Sequence, residues 1–247
     1  MLKAIAEQCG WKGGLIGTIR NLIGTRIIDT ERTTPESVDL QRILREMKEE
    51  GVELVVMEVS SHSLDQNRVH GIAFETAIFT NLTQDHLDYH KTFENYFAAK
   101  IRIFAQAQQA VVNRDDPHAE RILGELSIPY KTFGIREKAD VSAAEIDITT
   151  RGVQFDMHCA LGNVRMYVPI PGLFSVFNAL GAAAAAMQLG LPLSAVKNGI
   201  ETMGSVSGRL EPLPTGGRDF TVLLDYAHTP DALENILKTA RGFAEGR

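Results

Sequence analysis

An α/β fold built on a mainly parallel sheet, with a small antiparallel subdomain near residues 140–170, is predicted by three observations. Short apolar runs of strand length recur along the chain as far as Ile135, and segments of helical periodicity separate them. After about Asp140 the pattern switches to the apolar–polar alternation of "VQFDMHCAL", the mark of antiparallel strands.

Each element follows from its residues. "MLKAIAEQCG" reads as the tail of a helix stopped at Gly10. "GLIGTI" is a strand, followed by a polar loop running through Thr30 to Pro35. Residues 36–50 place Val38, Leu40, Ile43, Leu44 and Met47 at helical spacing. "VELVVMEVS", "FETAIFTNL", "QAVVNRDD" and "YKTFGI" supply the parallel strands. Gly162-Asn163 turns the chain before "VRMYVPIP". Helices are expected at 176–189, stopped by Gly190, and at 194–203, capped by Ser194. "FTVLLDYA" reads as a last buried strand, and Thr229 with Pro230 starts a helix to about Arg241.

Composition narrows the function classes. A net charge of −6 without a long basic run argues against nucleic acid as a partner. The Ala-rich stretch 179–187 is too short to span a bilayer, and no signal-peptide pattern opens the chain. The two cysteines, Cys9 and Cys159, lie far apart and suit a reducing compartment. A cytoplasmic, monomeric globular protein is expected.

Three predicted strands end in polar clusters: Glu58 with Ser60, Ser61, His62 and Ser63; Thr80 and Asn81 with Asp85, His86 and Asp88; and Asp225 with Tyr226 and His228. Each cluster alone reads equally as a solvated loop. Together, at the carboxyl ends of strands, they mark a candidate site. Glu58 interrupts an apolar strand, where a carboxylate needs water at a sheet edge, a metal or a basic partner.

Lys100 raises a separate question. On a helix starting near Phe93 it falls within about 60° of the stripe formed by Phe93, Tyr96, Phe97 and Phe104. It snorkels to solvent, pairs with Glu58 or Asp85, or is neutral enough to form a carbamate with carbon dioxide, which would offer oxygen to Mg²⁺. The residues permit all three.

The segments "TTPES", "MEVSSHSLDQNRVHG", "TNLTQDHLDYHKTFENYFAAK", "VVNRDDP", "GRLE" and "LLDYAHTPDALENIL" occur in this order. Together they resemble the Mur ligase family over nearly the whole chain, in particular the branch that builds the murein tripeptide. The resemblance implies an ATP-dependent ligase of peptidoglycan synthesis. Such an enzyme phosphorylates a carboxylate of UDP-MurNAc-L-Ala-D-Glu and joins it to the amine of a third amino acid, diaminopimelate or lysine. It further implies Glu58 and His86 as Mg²⁺ ligands and Lys100 as a carbamylated lysine. Asn178, Arg209 and Asp225 match nucleotide contacts, and Thr33, Thr34, Ser60, Gln66 and Arg68 match residues that hold the muramoyl dipeptide.

The sequence departs from the family pattern at Arg32 and Ser175, where relatives often carry Asn. No glycine is followed by lysine, so no Walker-type G-K-[ST] is present. The expectation is therefore a central ATP-binding domain over residues 1–241, without its phosphate-binding loop and inactive alone, with 242–247 starting a linker. Two other readings share these motifs: a polyglutamate-adding amide ligase related to folylpolyglutamate synthetase, and a non-catalytic sugar-nucleotide-binding remnant.

Overall fold

The computed structural model describes residues 1–29, 32–83, 85–204 and 206–243. In order, the elements are α1 (Leu2–Glu7), β1 (Gly13–Ile16), β2 (Asn21–Ile23), β3 (Arg26–Ile28), α2 (Ser37–Glu49), β4 (Leu54–Met57), α3 (Ser61–Asp65), β5 (Phe74–Phe79) and α4 (Leu87–His90). Then come α5 (Phe93–Ile101), a 3₁₀ turn (Arg102–Gln106), β6 (Ala107–Asn113), α6 (Ala119–Glu125), β7 (Tyr130–Gly134), β8 (Val141–Thr149), β9 (Gly152–Cys159) and β10 (Gly162–Val168). The chain continues through α7 (Leu173–Gln188), α8 (Leu193–Glu201), β11 (Glu211–Leu213), β12 (Val222–Leu224) and α9 (Pro230–Phe243).

The predicted α/β class holds, with its strands divided among three sheets. A six-stranded sheet runs β10-β9-β8-β7-β6-β5, parallel from β5 to β8 and antiparallel from β8 to β10. The antiparallel region is thus an extension of the parallel sheet. A second sheet runs β3-β2-β1-β4, with β1 and β4 parallel. Its β2–β3 hairpin, tightened by Gly24 at φ +59°, was not anticipated from three-residue apolar runs.

Three expectations are corrected. The carboxyl ends of β4, β5 and β12 do not share one sheet edge, because these strands belong to three different sheets. β12 is not buried: it pairs with β11 alone, and Val222 and Leu224 remain exposed. Ser194 does not cap α8, since Pro192 precedes its first residue, Leu193. The expected linker at 242–247 falls partly on α9, which ends at Phe243, and partly on 244–247, outside the described residues.

α7 organises the larger core. Its alanines, Ala179 and Ala182 to Ala186, let the helix lie close against the six-stranded sheet, α1 and α8. Gly190 at φ +75° ends it as the sequence predicts, with the Leu191 amide bonded to the Ala186 carbonyl. Two further cores lie under α5 and α6 and under α2 and α3. No helix among the described residues is long and apolar enough to cross a membrane.

α8 meets α1 backbone to backbone at Gly199, where an added Cβ would lie 2.5 Å from Ile5 Cα. Helix backbone cannot yield as a side-chain tip does. Gly199→Ala is therefore expected to destabilise the chain by about 1–3 kcal/mol, read from the urea midpoint, despite alanine's better helix propensity.

Candidate active site

Parallel pairing of β1 with β4 brings two strand ends together, and the site starts there. The Glu58 amide donates to the Ile16 carbonyl (2.8 Å), one residue past the end of β4. Glu58 is exposed and does not interrupt the strand, which stops at Met57, before the charge; of the alternatives the sequence left open, access to water is met. Thr18, just past β1, donates to Glu58 Oε2 from both Oγ1 (2.6 Å) and its amide (3.2 Å). Both bonds fall on one carboxylate oxygen and leave Oε1 facing Gly17, where a Cβ would meet it at 3.0 Å.

Thr34 ties this end to the next loop. It is 1% exposed, and its hydroxyl donates to the Glu58 carbonyl (2.9 Å) while accepting from the Ser60 amide (3.1 Å). Its neighbour Thr33 shares a hydrogen bond with the Thr18 hydroxyl (3.0 Å). Ser60 then caps α3, its side chain accepting from the Ser63 amide (3.2 Å). Arg68 is buried under this loop, donating to the Thr34 carbonyl (3.1 Å) and to Gln66 Oε1, and pairing with Glu36 (3.3 Å). Gln66 also donates to the Tyr89 hydroxyl (3.2 Å). All five predicted substrate residues therefore form one hydrogen-bonded group.

Histidines crowd the adjoining surface. The His62 ring lies 4.9 Å from His86 and 5.4 Å from His90, with Tyr89 against it at 4.2 Å. His86 adopts a left-handed backbone (φ +54°) at the start of α4 and is exposed. His90 is buried and shares a hydrogen bond with Ser61 Oγ (2.9 Å). Thr18, Glu36 and Tyr89 were not picked out from sequence; they lie tens of residues from their partners, and no local spacing marks them.

Lys100 is half-buried, at the end of α5. Its Nζ donates to the Asn81 carbonyl (3.3 Å) and stands 5.5 Å from the centre of the Tyr96 ring, whose other neighbours include His86 at 5.9 Å. Among the described residues no carboxylate forms an ion pair with it, which removes pairing with Glu58 or Asp85 from the three readings. Desolvation lowers the Lys100 pKa below the usual lysine value, against the smaller pull of Asp116 and Asp85. The same burial pushes the Tyr96 phenol up to about 12.

A cleft of about 540 Å³ runs between β4 and β5, and Thr33, Glu58, Ser60, Thr80, Lys100 and Asn178 all line it. Asn178 is an exposed residue of α7 on this wall. Arg209 and Asp225 are not among the lining residues. They flank one end of the two-stranded ribbon, Arg209 before β11 and Asp225 after β12, where Asp225 accepts from the Leu210 and Ala227 amides and Arg209 lies over the Tyr226 ring at 5.6 Å. Among the described residues no three His, Cys, Asp or Glu side chains are placed to hold a metal on their own. Glu58 lines the cleft and His86 does not, and a carboxylate with an imidazole suits Mg²⁺ only as a minority of its ligands.

Comparison with known proteins decides the lineage. Residues 1–186 match the Mur ligase middle domain. The chain belongs to the Mur ligase family. It is 47% identical over 249 residues to a UDP-N-acetylmuramoyl-L-alanyl-D-glutamate–2,6-diaminopimelate ligase of Clostridium acetobutylicum, covering all of this chain and 52% of that protein. It is 47% identical over 248 residues to the corresponding ligase of Clostridium botulinum, again covering all of this chain and 51% of that one. The chain thus spans about half the length of these relatives. A solved diaminopimelate ligase structure superposes with a TM-score of 0.83 at 30% identity, over all of this chain and 51% of that one. An L. casei FPGS reaches 0.69 at 16% identity, covering 99% of this chain and 68% of that one, a likeness of fold alone.

Two outcomes are expected for this Mur ligase chain. Thr34→Val removes a hydroxyl that serves two backbone groups, so it should cost about 1–3 kcal/mol in chemical denaturation, while Thr34→Ser stays near the parent. Burial also lowers the pKa of His62 and His90 from 6.5, with His86 adding to it at His62 and Asp65 partly opposing it at His90. Below pH 6.5 the unfolded chain then binds more protons than the folded one, so stability held above 6.5 is lost as pH falls through that window. Urea midpoints measured from pH 7 to pH 5 should drop, and His90→Gln should flatten the slope.

Proposed function

We propose that this chain is the ATP-handling part of a cytoplasmic, monomeric peptidoglycan ligase. That enzyme would join diaminopimelate to the D-glutamyl carboxylate of UDP-MurNAc-L-Ala-D-Glu. Two things support the reading: the sequence relatives named as diaminopimelate ligases, and a cleft on which Glu58 and Lys100 open together. The reaction class passes through an acyl phosphate: the terminal phosphoryl of ATP moves to the carboxylate, ADP leaves, and the incoming amine displaces phosphate as the C–N bond forms. The middle domain is proposed to span residues 1–241.

Each side chain has a role in this reading. Glu58 and His86 would hold Mg²⁺, which when bound neutralises charge on the transferring phosphate. Thr18 keeps the Glu58 carboxylate in one orientation. Lys100, partly desolvated and without an ion pair among the described residues, gives up its ammonium proton to solvent and would then react as the neutral amine: Nζ bonds to the carbon of CO₂ as one C–O π bond opens, a second proton goes to solvent, and the side chain ends as an anionic carbamate. Arg68, fixed by Thr34, Gln66 and Glu36, supports with Thr33 and Ser60 the wall that receives the muramoyl dipeptide. Asn178 would meet the nucleotide in the cleft, and Arg209 and Asp225 would reach it from the ribbon.

The test is a chimera that places residues 1–247 in the frame of the Clostridium acetobutylicum relative. Lys100→Ala should lower the rate about 10²- to 10³-fold, the scale of one lost electrostatic group, and added acetate should restore part of it. Lys100→Arg should stay inactive; parent-level activity there would show that only the positive charge matters. In the same chimera Arg68→Ala should raise KM for the UDP-muramoyl substrate about tenfold while KM for ATP changes little. Equal effects on both substrates would remove Arg68 from the dipeptide wall.

A further inference from the structure

Beyond the cleft, the turn that follows β6 makes contacts that the proposed chemistry does not use. The loop leaving β5 towards His86 is gripped at three consecutive residues by three side chains from different places. Asn113, buried at the end of β6, donates from Nδ2 to the Thr80 carbonyl (2.8 Å). Lys100 donates to the Asn81 carbonyl. Asp116, 8% exposed, accepts the Leu82 amide at Oδ2 (2.8 Å). Its other oxygen, Oδ1, meets the His118 amide (2.9 Å) and His118 Nδ1 (3.0 Å). The His118 ring lies against Phe93 at 5.0 Å and Phe97 at 5.9 Å, two residues of the helix that carries Lys100.

Asp116 therefore links the two segments that carry His86 and Lys100. One carboxylate oxygen holds the backbone of the His86 loop, and the other holds a ring packed on the Lys100 helix. We propose that Asp116 is a positioning residue that sets the separation of Lys100 from His86 through the Leu82 amide and His118. A charged acceptor suits this role, since its bonds to amides are stronger than those of a neutral amide side chain. The neighbouring Asp115 is a natural contrast. It accepts from the amides of Ile135, Arg136 and Glu137 and holds a different turn, away from both groups.

Two measurements test this, the second resting on the proposed ligase activity. In the 247-residue chain, hydrogen exchange of the Leu82 amide should accelerate about tenfold or more in Asp116→Asn, while Asp115→Asn frees amides at 135–137 and leaves Leu82 protected. In the chimera, Asp116→Asn should raise the Mg²⁺ concentration for half-maximal rate by about 10- to 100-fold, the usual effect of losing a residue that orients metal ligands. KM for the UDP-muramoyl substrate should stay within about twofold, and Asp115→Asn should leave the Mg²⁺ dependence unchanged. If Asp116→Asn does not fold, His118→Phe keeps the ring packing and removes one bond to Asp116, and should shift both readouts in the same direction. Unchanged Leu82 exchange, or equal Mg²⁺ shifts in both aspartate variants, would overturn the positioning role. A parent chimera with no Mg²⁺-dependent activity would tell against the proposed function, while the exchange result still decides the role of Asp116.

Discussion

A lysine that is partly desolvated and lacks an ion pair is the constraint around which this site is arranged. Lys100 meets a carbonyl, an aromatic ring and the open cleft, with no carboxylate in ion-pairing range among the described residues. In such surroundings an ammonium loses more through desolvation than the pull of Asp116 and Asp85 returns, and the balance shifts towards the neutral amine. Burial therefore favours the uncharged lysine relative to an exposed one, and the proposed carbamate would build on that bias.

The surrounding web serves the same end. Two parallel strand ends would splay without cross-links, and Thr34 supplies one with a single hydroxyl that joins the Glu58 carbonyl to the Ser60 amide. Thr18 takes one oxygen of Glu58 and, among the described residues, leaves the other without a hydrogen bond. Buried Arg68 is held by two backbone or amide oxygens and a carboxylate, so its guanidinium is fixed before any ligand arrives. Preorganisation of this kind keeps the ordering cost out of the binding step.

Much of this was legible in the sequence, unevenly. The strands from β4 to β7 and helices α2, α5 and α7 follow from periodicity, because each is long or apolar enough to declare itself. Thr33, Thr34, Ser60, Gln66 and Arg68 were named through the family resemblance as dipeptide-holding residues; that they share one hydrogen-bonded network is a finding of the structure that no local pattern announced. Lys100 was visible as a misplaced cation. What escaped is non-local: the Thr18–Glu58 pairing joins residues 40 apart through the β1–β4 register. The end of β4 before Glu58 depends on where that register stops, and the exposure of β12 on which layer covers it. Local pattern carries neither. Arg209 and Asp225 stand together but at one end of a ribbon outside the cleft lining, and the motifs alone gave no sign of that separation.

The most direct measurement is carbon NMR of the 247-residue chain equilibrated with ¹³C-bicarbonate at neutral to mildly alkaline pH. A lysine carbamate should give one carbonyl resonance that is absent in Lys100→Ala and Lys100→Arg and unaffected by Lys91→Arg. A spectrum identical in parent and Lys100→Ala would show that the amine stays unmodified, and that the half-buried lysine acts as a cation after all.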